Sequence, residues 1–96
     1  MAKVLVTEKL AETGLELLRA RGHDVQVQLN LSPIDLRSKI AEIDALIVRS
    51  ATEVDAELLR AAKQLQVVGR AGVGLDNVDT AVATSLGILV CNAPES

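Results

Sequence analysis

Arginine, serine and threonine stand together in Arg49-Ser50-Ala51-Thr52, and a second arginine, Arg70, lies inside the stretch GRAGVGLDN, Gly69 to Asn77. A guanidinium stays charged and grips a carboxylate or phosphate in a planar fork. Glycines ahead of a helix leave backbone amides to complete such a grip. Arg49, Ser50, Arg70 and the loop Ala71, Gly72, Val73, Gly74 therefore have the composition of a site for a small anion. Asn92, at the end of a later apolar run, offers a further amide. A plainer reading stands beside this one, in which Gly72 and Gly74 are turn residues and both arginines are solvated strand ends. Two arginines that each follow an apolar run favour the anion.

Other chemistries fit less well. A dinucleotide fingerprint needs G-x-G-x-x-G after the first strand and an acidic residue about 20 residues on. Here the third position is Asn77, the loop follows the fourth apolar run, and Cys91-Asn92 stands where the acid should. A phosphate-accepting signalling receiver needs acidic residues after the first and third strands and a lysine after the fifth, where this chain has Thr7-Glu8, Arg49 and Asn92. Asp76 and Asn77 read as N-cap residues of the next helix, with Asp79 favourable in its first turn. His23 reads as an exposed turn residue, Cys91 as a small buried core residue, and EKLAE and LRSK as solvated helix faces.

The elements that must position these residues follow from periodicity. Five short apolar or β-branched runs, at 3–7, 24–28, 45–48, 66–70 and 88–91, alternate with four helical segments. The first helix, about 10–21, stops at Gly22. The second is capped by Ser32 with Pro33 in its first turn and has Ile34, Ile40 and Ile43 as its apolar stripe. The third starts near Asp55 with Leu58, Leu59 and Ala62 inward, and the fourth runs from about Asp76 to Gly87. Repeated strand–helix units imply a parallel sheet. ALIV and ILVC read as strands covered on both faces, and DVQVQ as an edge. The fold expected is α/β: a flavodoxin-like, doubly wound, five-stranded parallel sheet of order 2-1-3-4-5 with helices on both faces. In such sheets ligands bind beyond the carboxyl ends of the strands, where Arg49, Arg70 and Asn92 all fall.

Composition sets the limits. Ninety-six residues form one domain, 1–96, and the core must be aliphatic because Phe, Tyr and Trp are absent. A net charge of -3 with dispersed basic residues offers nothing to nucleic acid, and no apolar run is long enough for a membrane span or a signal peptide. The single cysteine excludes an intramolecular disulfide and a zinc spacing, so a cytoplasmic setting is expected.

ALIVRSATEVDAELL, LQVVGRAGVGLDNVD and GILVCNAPES, at their spacings, closely resemble the amino-terminal part of the D-2-hydroxyacid dehydrogenase family, in particular its branch that acts on 3-phosphoglycerate. The resemblance covers the whole chain and is densest from Ala45 to Pro94. It implies NAD-dependent oxidation of 3-phosphoglycerate to 3-phosphohydroxypyruvate, a step towards L-serine, at a cleft between a substrate-binding and a nucleotide-binding domain. This chain would be part of the former. By the matched motifs, Ala71, Gly72, Val73 and Gly74 would present amides to the substrate carboxylate. Arg49 and Arg70 would face phosphate or carboxylate, supported by Ser50 and Asn92.

The family's catalytic arginine, glutamate and histidine, and its NAD fingerprint, match nothing here. No catalytic, cofactor-binding or metal-binding residue is therefore assigned, and NAD belongs to the parent enzyme. The chain is expected to be a fragment, inactive alone and at most a weak binder of 3-phosphoglycerate or a related anion. Its natural partner is the parent's nucleotide-binding domain. The family completes this domain with a segment returning from later in the chain, so an uncovered apolar surface and self-association are expected. The alternative is an excised or engineered folding module with no ligand.

Overall fold

Strands β1 (Lys3–Val6), β2 (Asp24–Val27), β3 (Ala45–Val48), β4 (Val67–Ala71) and β5 (Leu89–Ala93) alternate with helices α1 (Glu12–Ala20), α2 (Pro33–Ile40), α3 (Ala56–Ala61) and α4 (Thr80–Ser85). This computed structural model describes residues 2–71 and 76–93. The expected loop positions Gly72, Val73 and Gly74, and Pro94 of the NAP motif, lie outside the described residues. The strands form one sheet of order β2-β1-β3-β4-β5, every pairing parallel, as expected.

Local chemistry explains the boundaries. Gly22 and Gly87 follow α1 and α4 at φ of 86° and 75°, a conformation that costs a residue with a Cβ more. The Ser32 hydroxyl accepts from the Asp35 N–H at 3.2 Å, with Pro33 opening α2. The Asp55 carboxylate accepts from the Leu58 N–H at 2.9 Å to start α3. Helix α4 starts later than the sequence suggests, and its N-cap is Asp79, whose carboxylate accepts from the Val82 N–H at 3.1 Å. Asp76 and Asn77 form a turn, and Val78 pairs in a parallel bridge with Val54 before the helix begins, so Asp76 and Asn77 are not caps.

Alternation sorts the strand side chains into two layers. The row Leu5, Leu46, Val68 and Val90 faces α2, α3 and α4 and joins Leu36, Ile40, Leu58, Leu59 and Ala83 in the main core. Each fully buried Leu or Ile there contributes about 1.5–3 kcal/mol. Val4, Val6, Ala45 and Ile47 point the other way, towards Leu15 and Leu18 of α1. Helices therefore cover both faces, one on one side and three on the other.

Side-chain burial corrects further expectations. Ile34 is 70% exposed, and Leu36 takes its place in the core with Ile40. Positions four apart differ by only about 40° around a helix, whereas Ile34 and Ile40 are six apart and about 120° out of line. ILVC is the second edge of the sheet rather than a strand covered on both faces, with Leu89 65% exposed and Cys91 exposed rather than buried. Both lie in the row Val67↔Leu89 and Gly69↔Cys91, on the α1 face, while α1 itself packs at the opposite end of the sheet, beside β2. His23 is half-buried, its Nδ1 accepting from the Ala2 N–H at 3.2 Å.

Candidate anion-binding edge

The strand exits meet as the parallel topology requires. Val48, Arg70 and Asn92 stand in one register row across β3, β4 and β5, so Arg49 leaves the sheet beside Arg70, and Arg70 beside Asn92. Ala71 pairs with Ala93 one step further on. Arg49, Ser50 and Asn92 are exposed, while Arg70 and Ala71 are half-buried. The five expected residues that are described thus converge on one edge.

The turn after β3 is anchored from two sides by residues whose roles the sequence did not disclose. The first is Glu8, at the exit of β1. Its carboxylate accepts the N–H groups of Arg49, Ala51 (3.0 Å) and Thr52 (3.2 Å). Burial raises the Glu8 pKa, but the bonds from Ala51, Arg49 and Thr52 outweigh it and hold the carboxyl below its ordinary value. EKLAE is consequently not a helix face at its start: Glu8 and Lys9 precede α1, and the Lys9 carbonyl accepts from Arg49 Nη1 at 3.3 Å. Beneath them the Thr7 and Thr52 hydroxyls share a hydrogen bond of 2.9 Å.

The second anchor is Asn77. Its Nδ2 donates to the carbonyls of Arg49 and Thr52, both at 2.6 Å. Its backbone carbonyl accepts from the Val54 N–H at 2.8 Å, and Asp79 N–H donates to the Val54 carbonyl at 2.9 Å. The segment 49–54 is therefore held by a carboxylate on its amides and a carboxamide on its carbonyls. A side chain that donates twice to backbone carbonyls leaves no trace in apolar periodicity. For Glu8, an acid at the exit of a central strand was the available signal.

A cleft of about 440 Å³ opens on the Glu8 side of this turn, lined by Thr7, Glu8, Lys9, Asn30, Thr52 and Glu53 among others. It sits where β1 leads to β2 on one side and has β3 on the other, the point at which the strand order reverses. Among the described residues no group of three His, Cys, Asp or Glu side chains is placed to hold a metal, and no helix is long and apolar enough to cross a membrane.

This arrangement agrees with what the chain is similar to. A D-3-phosphoglycerate dehydrogenase described as chloroplastic, from Arabidopsis thaliana, is 60% identical over 93 residues, covering 96% of this chain and 15% of that protein. The D-3-phosphoglycerate dehydrogenase of Archaeoglobus fulgidus is 46% identical over 92 residues, covering 96% of this chain and 18% of that one. Among solved structures, a Pyrococcus horikoshii protein superposes with a TM-score of 0.92 at 33% identity, over 97% of this chain and 28% of that chain. The NAD+-bound 3-phosphoglycerate dehydrogenase of Entamoeba histolytica gives 0.87 at 29% identity, over 97% and 33%. The chain thus spans under a fifth of the length of these curated relatives. Residues 4–96 match the model of the D-isomer specific 2-hydroxyacid dehydrogenase catalytic domain, and the chain belongs to that family.

Proposed function

We propose that this chain is the substrate-binding portion of an NAD-dependent phosphoglycerate dehydrogenase, with Arg49 and Arg70 receiving the phosphate and carboxylate of 3-phosphoglycerate. The observation that carries the reading is the register row that sets Arg70 between Val48 and Asn92, with the Arg49–Ser50 turn held at its end by Glu8 and Asn77. Fixing the turn in advance lowers the ordering cost of binding. The names of the two relatives support the choice of substrate. On this reading Ser50, Asn92 and the amides of residues 71–74 assist. NAD and the groups that move the proton and hydride lie in a separate nucleotide-binding domain.

Hydride transfer needs the nicotinamide held against the substrate carbon with a base in reach. The chain alone therefore reduces no NAD with 3-phosphoglycerate. It keeps weak binding: two charge-assisted contacts supply about 1.5–3 kcal/mol each, against an association cost of roughly 4–15 kcal/mol. At best about 2 kcal/mol remains, which gives a Kd of roughly tens of millimolar or weaker. Phosphorus NMR of 3-phosphoglycerate tests this. Line broadening by the chain, reduced by Arg49→Ala, is expected, and equal broadening by both proteins would refute the assignment of Arg49.

One observation favours a second reading, that the chain is a folding module without a ligand. Glu8 already occupies the amides of Arg49, Ala51 and Thr52, so they are satisfied without any substrate. On that reading the chain does not broaden the 3-phosphoglycerate line at all.

A further inference from the structure

We propose that Asn77 is a positioning residue: it fixes the spacing between Arg49 and Arg70, so that the edge selects its ligand by the separation of two anionic groups. The inference rests on the reading above, in which the two arginines receive the phosphate and the carboxylate of one molecule. β3 and β4 are laddered only as far as Val48↔Arg70. Arg49 stands one residue beyond that last pair. The sheet therefore sets the place of Arg70 but not that of Arg49.

Arg49 is held from two directions. On the β1 side the Glu8 carboxylate accepts its N–H, and the Lys9 carbonyl accepts from its guanidinium. Those bonds tie it to β1, not to the strand that carries Arg70. The second tie comes from the connection that follows β4. There the Asn77 Nδ2 donates to the carbonyls of Arg49 and Thr52, at 2.6 Å each, closing the turn from the Arg70 side.

Two features separate this contact from general structural support. Asn77 Oδ1 is buried with no hydrogen-bond partner among the described residues, so the carboxamide acts through its nitrogen alone. The segment 77–79 also stays in place without that side chain. The Val54 N–H donates to the Asn77 carbonyl at 2.8 Å and the Asp79 N–H to the Val54 carbonyl at 2.9 Å, all through backbone atoms. Removing the carboxamide therefore keeps the Val54–Val78 bridge and lets the Arg49–Thr52 turn shift against Arg70. A ligand that touches one arginine is indifferent to such a shift, whereas one that spans both loses a contact.

The isomer 2-phosphoglycerate tests this, because it carries the same groups and charge as 3-phosphoglycerate with the phosphate one carbon nearer the carboxylate. Titrations of the isotope-labelled 96-residue chain, run above the second phosphate ionisation, compare the initial slopes of the Ser50 and Arg70 amide shifts. The native chain should favour 3-phosphoglycerate by about tenfold, the worth of one charge-assisted contact. Asn77→Ala should bind the two isomers nearly equally, while Leu36→Ala, weakened in the core away from the edge, should keep the native ratio. As a second measurement, on the native chain, hydrogen exchange of the Asn77 carboxamide should be slowed by 3-phosphoglycerate and not by 2-phosphoglycerate at matched occupancy. A native chain without preference between the isomers would overturn the two-arginine reading and this inference with it. A native preference that survives in Asn77→Ala, is lost equally in Leu36→Ala, or comes with equal carboxamide exchange under the two isomers would overturn the inference alone.

Discussion

Replacing Glu8 by Gln keeps the shape of the side chain but removes its charge and turns one of its two acceptors into a donor. In the native chain the carboxylate accepts three backbone N–H groups, from Arg49, Ala51 and Thr52. A hydrogen bond to a charged acceptor is worth about 1.5–3 kcal/mol and a neutral one about 0.5–1.5. The carboxamide can retain one or two of the three bonds, and its new N–H groups face donors. Glu8 is only half-buried, so water recovers part of the loss. The net destabilisation expected is about 2 kcal/mol, or roughly 8–16 °C in Tm for a chain of this size.

Urea unfolding at pH 7 reads this, with exposed Glu12→Gln as the control. The pH dependence makes the test stricter. The folded pKa of Glu8 is depressed, so the unfolded chain binds its proton first as pH falls. The stabilisation is present above the unfolded value, about 4.3, and disappears as pH falls through the lower folded value. Native and Glu8→Gln chains should therefore converge in stability at low pH. Equal stability at pH 7, or a gap that persists undiminished in acid, would refute the carboxylate's role in holding the turn.

Further outcomes follow from the same geometry. Asn77→Ala leaves the Arg49 and Thr52 carbonyls without their donor and should cost about 1–3 kcal/mol in urea unfolding. Asn77→Asp should cost more, because it sets a carboxylate against the same two carbonyl oxygens. Leu36→Ala should cost about 2–5 kcal/mol by creating a core cavity, whereas Ile34→Ser should fall within about 0.5 kcal/mol of the native chain. Under native conditions Cys91 should react with a thiol reagent nearly as completely as in urea, since it is exposed. A thiol protected until unfolding would restore the buried reading.

Hydrophobic order along the chain was enough to place the strands, because parallel sheets demand short apolar runs separated by helices. Strand order and the convergence of Arg49, Arg70 and Asn92 followed from that. The sequence was less informative wherever the deciding interaction joins distant residues. Asn77 looks like a cap until Val54 pairs with Val78 and moves the helix start on to Asp79. Glu8 looks like a solvated charge until its β1 exit is placed beside the β3 turn, across a separation of more than forty residues. Cys91 looks buried because apolarity alone cannot tell an edge strand from a central one. In each case a single-residue preference was overridden by a contact that only the assembled sheet creates.

The central claim is that the carboxyl edge around Arg49 and Arg70 recognises a phosphorylated hydroxy acid. It is tested most directly by titrating the isotope-labelled chain with 3-phosphoglycerate and following backbone amide shifts, with sulfate as the ionic control. Saturable shifts confined to Ser50 and residues 70–74, absent with sulfate and lost in Arg70→Ala, are the predicted result. Shifts identical with the two anions, or unchanged in Arg70→Ala, would contradict it.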